Sequence, residues 1–115
     1  MAQYSWNEVK QEQMNPRFAR RVIHGEQITM AQVLVLKGCI VPMHQHVNEQ
    51  ITTVNDGRVR FVIDGAEKVL GPGEVVQIGP NVPHSAEALE DSSLLEVFSP
   101  VRSDWKDGSD QYLRG

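Results

Sequence analysis

From residue 28 onwards the apolar positions fall in short runs with the period of β-strands. Ile28 to Leu36 is a stretch of mostly β-branched and aliphatic residues closed by Gly38, and Val59, Phe61 and Ile63 share one face of a later strand. Further strands are predicted over 66–70, 74–78, 85–89 and 94–98. Turn chemistry separates them: Asn55-Asp56-Gly57 and Asp64-Gly65 read as tight hairpins, Gly71-Pro72-Gly73 as a turn, and Glu90-Asp91-Ser92-Ser93 as a polar connection. Pro80 and Pro83 interrupt any ladder just before His84. Outside this region the pattern fades. Trp6, Val9, Met14 and Phe18 are scattered and Pro16 excludes a long helix, so 1–27 is expected to be a short helix or turn followed by an extended arm. Residues 103–115, with Asp107, Gly108, Ser109 and Asp110, read as a surface tail that is partly disordered.

Short strands with a turn about every six to twelve residues and no long helical pattern predict an all-β sandwich or barrel of the jelly-roll kind, over 28–102. The 115 residues suffice for one such domain, and neither an internal repeat nor a linker divides them. Lys plus Arg number 11 and Asp plus Glu 15, for a net charge of −4, which gives no general attraction to phosphate backbones or anionic lipid. Nucleic acid and membrane surfaces are therefore not expected as partners. The longest apolar run, Val33-Leu34-Val35-Leu36, falls far short of the roughly 20 residues that span a bilayer, and the polar start resembles no signal peptide. A soluble, cytoplasmic protein is expected. The single Cys39 can form no internal disulfide and is read as a small apolar core residue. Arg17, Arg20 and Arg21 read as a solvated charge cluster.

The candidate chemistry lies in the histidines. His44 and His46 are separated by one residue, so in an extended segment both project from one face, about 7 Å apart by the strand rise. Gln50 has the parity of His46 and can offer a carbonyl oxygen, while His84, after Pro83, opens a strand that a barrel can place opposite. Three imidazoles with one oxygen ligand suit a divalent transition metal, Zn, Ni, Mn, Fe or Co, in an open site with room for water or substrate. Taken alone, the His44-Gln45-His46 pair is also compatible with surface or hydrogen-bonded histidines. Glu49, of opposite parity, is read as exposed, and His24 as no ligand. Near the C-terminus Leu94, Glu96 and Phe98 share a strand face, which places a carboxylate between apolar neighbours on the expected barrel interior. Arg102 can form a bidentate pair with a carboxylate, either that of a ligand or that of Asp104.

These residues carry a resemblance to the cupin family. Gly38, His44-Gln45-His46, Gln50 and Gly57 have the spacing of the first cupin motif, with glutamine in the place of the usual glutamate. Gly73 and Pro80-Asn81-Val82-Pro83-His84 resemble the second motif, although the asparagine that usually follows the histidine is replaced by Ala88. The resemblance implies a double-stranded β-helix, a jelly-roll barrel with a short N-terminal arm, and a metal held by His44, His46, Gln50 and His84. It also implies pairing into a homodimer. Val33 to Leu36 agrees, since apolar residues on both faces leave one face for a partner. A neutral glutamine leaves the ion's charge uncancelled, which favours an anionic ligand.

A narrower resemblance, to the pectin-degradation cupins of the KdgF type, rests on Leu95 to Trp105, on Trp6 and on Arg21 to Glu26. It implies opening of the ring of an unsaturated monouronate to a linear keto acid, with Glu96 and Arg102 catalytic and Phe98 and Arg102 facing the small acidic sugar. Glu96 and Val101 depart from the aspartate and proline usual there. A non-catalytic cupin that binds a small ligand, or a metal-dependent oxygenase, are the alternatives that the same barrel would host.

Overall fold

A computed structural model describes residues 1–114. Ten strands, all paired antiparallel, form two sheets: β1 (Gln11–Asn15), β2 (Phe18–His24), β3 (Thr29–Val35), β4 (Ile40–His44), β5 (Glu49–Asp56), β6 (Val59–Ile63), β7 (Ala66–Leu70), β8 (Val75–Ile78), β9 (His84–Ala88) and β10 (Ser92–Ser99). The larger sheet has the order β1-β2-β3-β10-β5-β8 and the smaller β4-β9-β6-β7. This is the expected all-β jelly roll, and the strands predicted over 59–63 and 66–70 have the predicted limits.

The period of two decides what faces inwards. Thr29, Ala31, Val33 and Val35 on β3, Gln50, Thr52 and Val54 on β5, and Ser92, Leu94, Glu96 and Phe98 on β10 are all buried. Val33, Val54, Val59, Phe61 and Leu94, together with Cys39, fill the barrel as one apolar cluster. Towards one end the inward residues become polar, because Thr52 stands opposite Glu96 and Gln50 opposite Phe98 in the β5–β10 register. Strand alternation thereby aims a glutamine, a threonine and a glutamate into the interior.

Three local expectations come out differently. The turn 55–57 does not close a hairpin: β5 and β6 lie in different sheets, and the chain crosses between them at Gly57, whose φ is +88° and where any Cβ would run into Ser92 and the Asp91 carbonyl. The arm expected over 1–27 consists of a 3-10 turn at Trp6–Glu8 followed by β1 and β2, which extend the larger sheet. Its sparse apolar residues hid the strands: Met14, Phe18 and Ala19 are the buried ones, and they make no alternating run. The tail, read as a loose surface segment over 103–115, is folded through residue 114, the last position lying outside the described residues. Helix α1 (Ser103–Asp107) and a 3-10 turn at Gln111–Leu113 bury Trp105, Asp110 and Leu113.

Arg20 is the residue this docking explains. It is 1% exposed, not part of a solvated cluster, and its Nη1 donates to Asp110 Oδ2 at 2.8 Å with both side chains fully buried. Its guanidinium also lies 4.1 Å from the centre of the Trp105 ring. Asn15 at the end of β1 donates to the Leu113 carbonyl, so the N-terminal hairpin and the C-terminal segment hold each other.

Candidate metal centre

His44 ends β4 and His84 begins β9, opposite it in register. His46 belongs to the segment 45–48 between β4 and β5, outside either strand. The expected single extended face is therefore absent: a register shift between Val41 and His44 and the break after His44 fold His46 back instead. The rings nevertheless converge, with centroids 4.2 Å apart for His44–His84, 5.0 Å for His46–His84 and 5.6 Å for His44–His46. One nitrogen from each lies within 4.8 Å of the others, an arrangement able to hold a metal ion.

Hydrogen bonding fixes which nitrogen each ring offers. All three Nδ1 atoms meet a backbone carbonyl two positions away: His44 meets Pro42 at 2.7 Å, His46 meets Asn48 at 2.9 Å and His84 meets Val82 at 2.8 Å. A carbonyl only accepts, so the neutral His44 and His84 rings carry their protons on Nδ1 and leave Nε2 as a bare lone pair, whereas His46 meets an acceptor at both nitrogens. His84 Nε2 is buried with no hydrogen-bond partner. His46 Nε2 lies 3.2 Å from Gln50 Oε1; with the ring proton on Nδ1 this is an approach of two acceptors, which a cation between them relieves. These donors fit a divalent transition metal. Burial pushes His44 and His46 down to about 4, with further lowering by neighbouring His84 and by Arg102, so both are neutral at physiological pH.

Gln50 is turned by what lies behind it. Its Nε2 donates to Thr52 Oγ1 and to Glu96 Oε2, both at 2.9 Å, which leaves Oε1 facing His46. Thr52 Oγ1 donates to the same Glu96 oxygen at 2.8 Å. Glu96 lies on the central strand β10, not at an edge, and burial raises its pKa against the pull of Thr52, Arg102 and Gln50. Phe98 packs edge-on to His46 at 5.9 Å. Glu49 is exposed, where it accepts from Gln77, and His24 pairs with Thr29 away from the cluster.

Arg102 is 1% exposed and lies over the rings of Phe98 and Trp105, 4.7 and 4.4 Å from their centres. Its Nε and Nη2 donate to the two carboxylate oxygens of Asp104 at 3.0 and 2.8 Å, and Nη2 donates also to the Tyr112 hydroxyl at 2.6 Å. Tyr112 in turn stacks on His44, centroids 4.1 Å apart and planes 19° apart. The Asp104 pairing is one of the two that the sequence offered for Arg102, and Tyr112 and Thr52 join the groups singled out from sequence. Tyr112 went unnoticed because it lies in a polar tail; the signal was three apolar side chains, Trp105, Tyr112 and Leu113, in a segment with no other reason to carry them. His44, Gln50, His84, Glu96, Arg102 and Tyr112 line one cavity of about 50 Å³, room for a few waters or part of a small molecule.

Residues 31–99 match the cupin domain family. The chain is 30% identical over 102 residues to the pectin degradation protein KdgF of Dickeya dadantii strain 3937, covering 86% of this chain and 93% of that protein. Its structure is similar to that of KdgF from a Halomonas species, with a TM-score of 0.86 and 27% identity over 91% of this chain and 98% of that one. An RmlC-like cupin from Shewanella frigidimarina NCIMB 400 shares the fold, with a TM-score of 0.84 at 24% identity, covering 89% and 93% of the two chains.

Proposed function

This chain belongs to the cupin family, and from that premise we propose that it is a metal-dependent enzyme converting an unsaturated uronate, or a similar small sugar acid, by ring opening and enol-to-keto conversion. The observation that carries the reading is an interior carboxylate, Glu96, hydrogen-bonded to the amide whose oxygen meets His46 in a cluster of three converging imidazoles. His44, His46, His84 and Gln50 are assigned as the residues that hold one divalent ion. The bound ion supplies Lewis acidity, and with four neutral ligands its charge favours an anionic substrate.

The remaining work falls to side chains. To Glu96, buried on the strand face it shares with apolar Phe98 and Leu94, we assign the transfer of a proton from oxygen to carbon of the enol. Arg102, with Nε and Nη2 committed to Asp104 and Tyr112, keeps Nη1 for the substrate carboxylate. Phe98 supplies an apolar wall. The KdgF relatives, of which one is named for pectin degradation, support an acidic sugar as the substrate class.

Incubating metal-loaded protein with an unsaturated monouronate tests the reading: its C=C absorbance is expected to disappear. Glu96→Gln should abolish that loss with metal content unchanged, and His84→Ala should lower the metal content. Tight binding of the sugar acid with no change in absorbance would replace the enzyme by a binding protein. We also assign the outward face of the larger sheet as a homodimer contact, because Leu34, Ile51 and Val75 stand exposed on it.

A further inference from the structure

The C-terminal segment brings a side chain to the acid-binding corner that the assigned mechanism does not use. A guanidinium has five N–H groups in a fixed plane. In Arg102 the Nε proton and one Nη2 proton are taken by Asp104, and the other Nη2 proton by the Tyr112 oxygen. Among the described residues the two Nη1 protons meet no partner. The Tyr112 hydroxyl accepts from a group that has nothing to accept in return, so its own proton points elsewhere, and no acceptor for it is found among the described residues.

The position of that hydroxyl is fixed from two sides. The ring is held flat on His44 at 4.1 Å, and the 3-10 turn that carries it is anchored by Asp110 on buried Arg20 and by the Leu113 carbonyl on Asn15. Arg102, Tyr112, Glu96 and His44 all face the same cavity. The corner therefore offers two kinds of donor side by side: a guanidinium N–H and a phenol O–H.

We propose that Tyr112 is a substrate-positioning residue, its hydroxyl donating to one carboxylate oxygen of the sugar acid while Arg102 Nη1 donates to the other. The assignment rests on the uronate reading given above. It makes Tyr112 a determinant of selectivity for the free acid: an ester or amide at that carbon presents one good acceptor instead of two charged ones. The ring has a second duty, holding His44, which the hydroxyl does not share.

Tyr112→Phe separates the two, since it keeps the ring on His44 and removes only the hydroxyl. With the free unsaturated uronate, KM is expected to rise about ten- to a hundred-fold, the cost of one hydrogen bond to a charged group, with the loss falling on KM more than on kcat. Metal content and thermal midpoint serve as structural controls, and binding of the methyl ester is expected to differ from wild type by less than about two-fold. Tyr112→Leu, which removes ring and hydroxyl, should add a loss of metal affinity through His44. If wild type turns over the uronate while Tyr112→Phe has wild-type KM, or weakens acid and ester alike, the assignment to Tyr112 is overturned and the uronate reading stands. If wild type neither binds nor converts a uronate, both fall.

Discussion

Gln50 sets the electrostatics of the centre, because an amide adds no charge to the ion that its oxygen would help to bind. Its other end donates to Glu96 at 2.9 Å, so Gln50→Glu would remove that donor and set two carboxylates in contact. Metal affinity is expected to increase, while KM for a uronate rises about ten-fold and kcat falls, because the net charge facing the substrate drops and Glu96 is held protonated. Metal titration and steady-state kinetics on the same preparation check both signs. The histidines give a pH dependence. In metal-free protein His44 and His46 sit near 4, against 6.5 for an exposed imidazole, owing first to burial. Their folded values are depressed, so the unfolded chain binds these protons more readily, and stability present above about pH 6.5 is lost as pH falls towards 4. Melting curves of metal-free protein across that window should show the decline, and replacing both residues by Gln should flatten it.

At the scale of elements, the docking of the C-terminal segment against β2 decides whether the site has its corner. Trp105 of α1 lies between two guanidinium groups, Arg20 at 4.1 Å and Arg102 at 4.4 Å. The Arg20–Asp110 pair is fully buried, and such pairs add little net stability when whole but cost about 3–5 kcal/mol when one partner is removed. Asp110→Ala is accordingly expected to lower the unfolding free energy by about 3 kcal/mol, read from the urea midpoint. Because the same segment carries Tyr112, that variant should also raise KM for the acid. Neither the docking nor the folded tail was legible beforehand: a segment of Asp, Gly and Ser punctuated by isolated aromatics has no periodicity to read, and the partner of Asp110 lies 90 positions away.

Across the whole molecule, the two faces of the larger sheet do different work. The inner face of β5 and β10 changes from apolar to polar along its length, which makes one end a core and the other a site. The outer face leaves Leu34, Ile51 and Val75 uncovered, and the dimer assigned above would cover them. Leu34→Glu with Ile51→Glu should then shift sedimentation from dimer to monomer while leaving the metal content of the barrel intact. An unchanged sedimentation coefficient, or a wild-type monomer, would remove the assignment.

By itself the sequence determined what is local: the strand period, the glycines and Asx residues at turns, the parity that sends Glu96 and Phe98 inwards, and the His-x-His pair with its distant third histidine. Those features depend on neighbours within a few residues, and they survive in any arrangement that keeps the strands. Tertiary structure alone decided how the pieces meet. His46 reaches the cluster through a break in the strand instead of along it, the turn at Gly57 crosses between sheets, and Arg20 is buried under the segment that carries Tyr112. The reason is register. Which residue of β10 stands opposite Gln50, or which arginine lies under α1, is set by long-range pairing and burial summed over the whole barrel, and no short window of residues contains it.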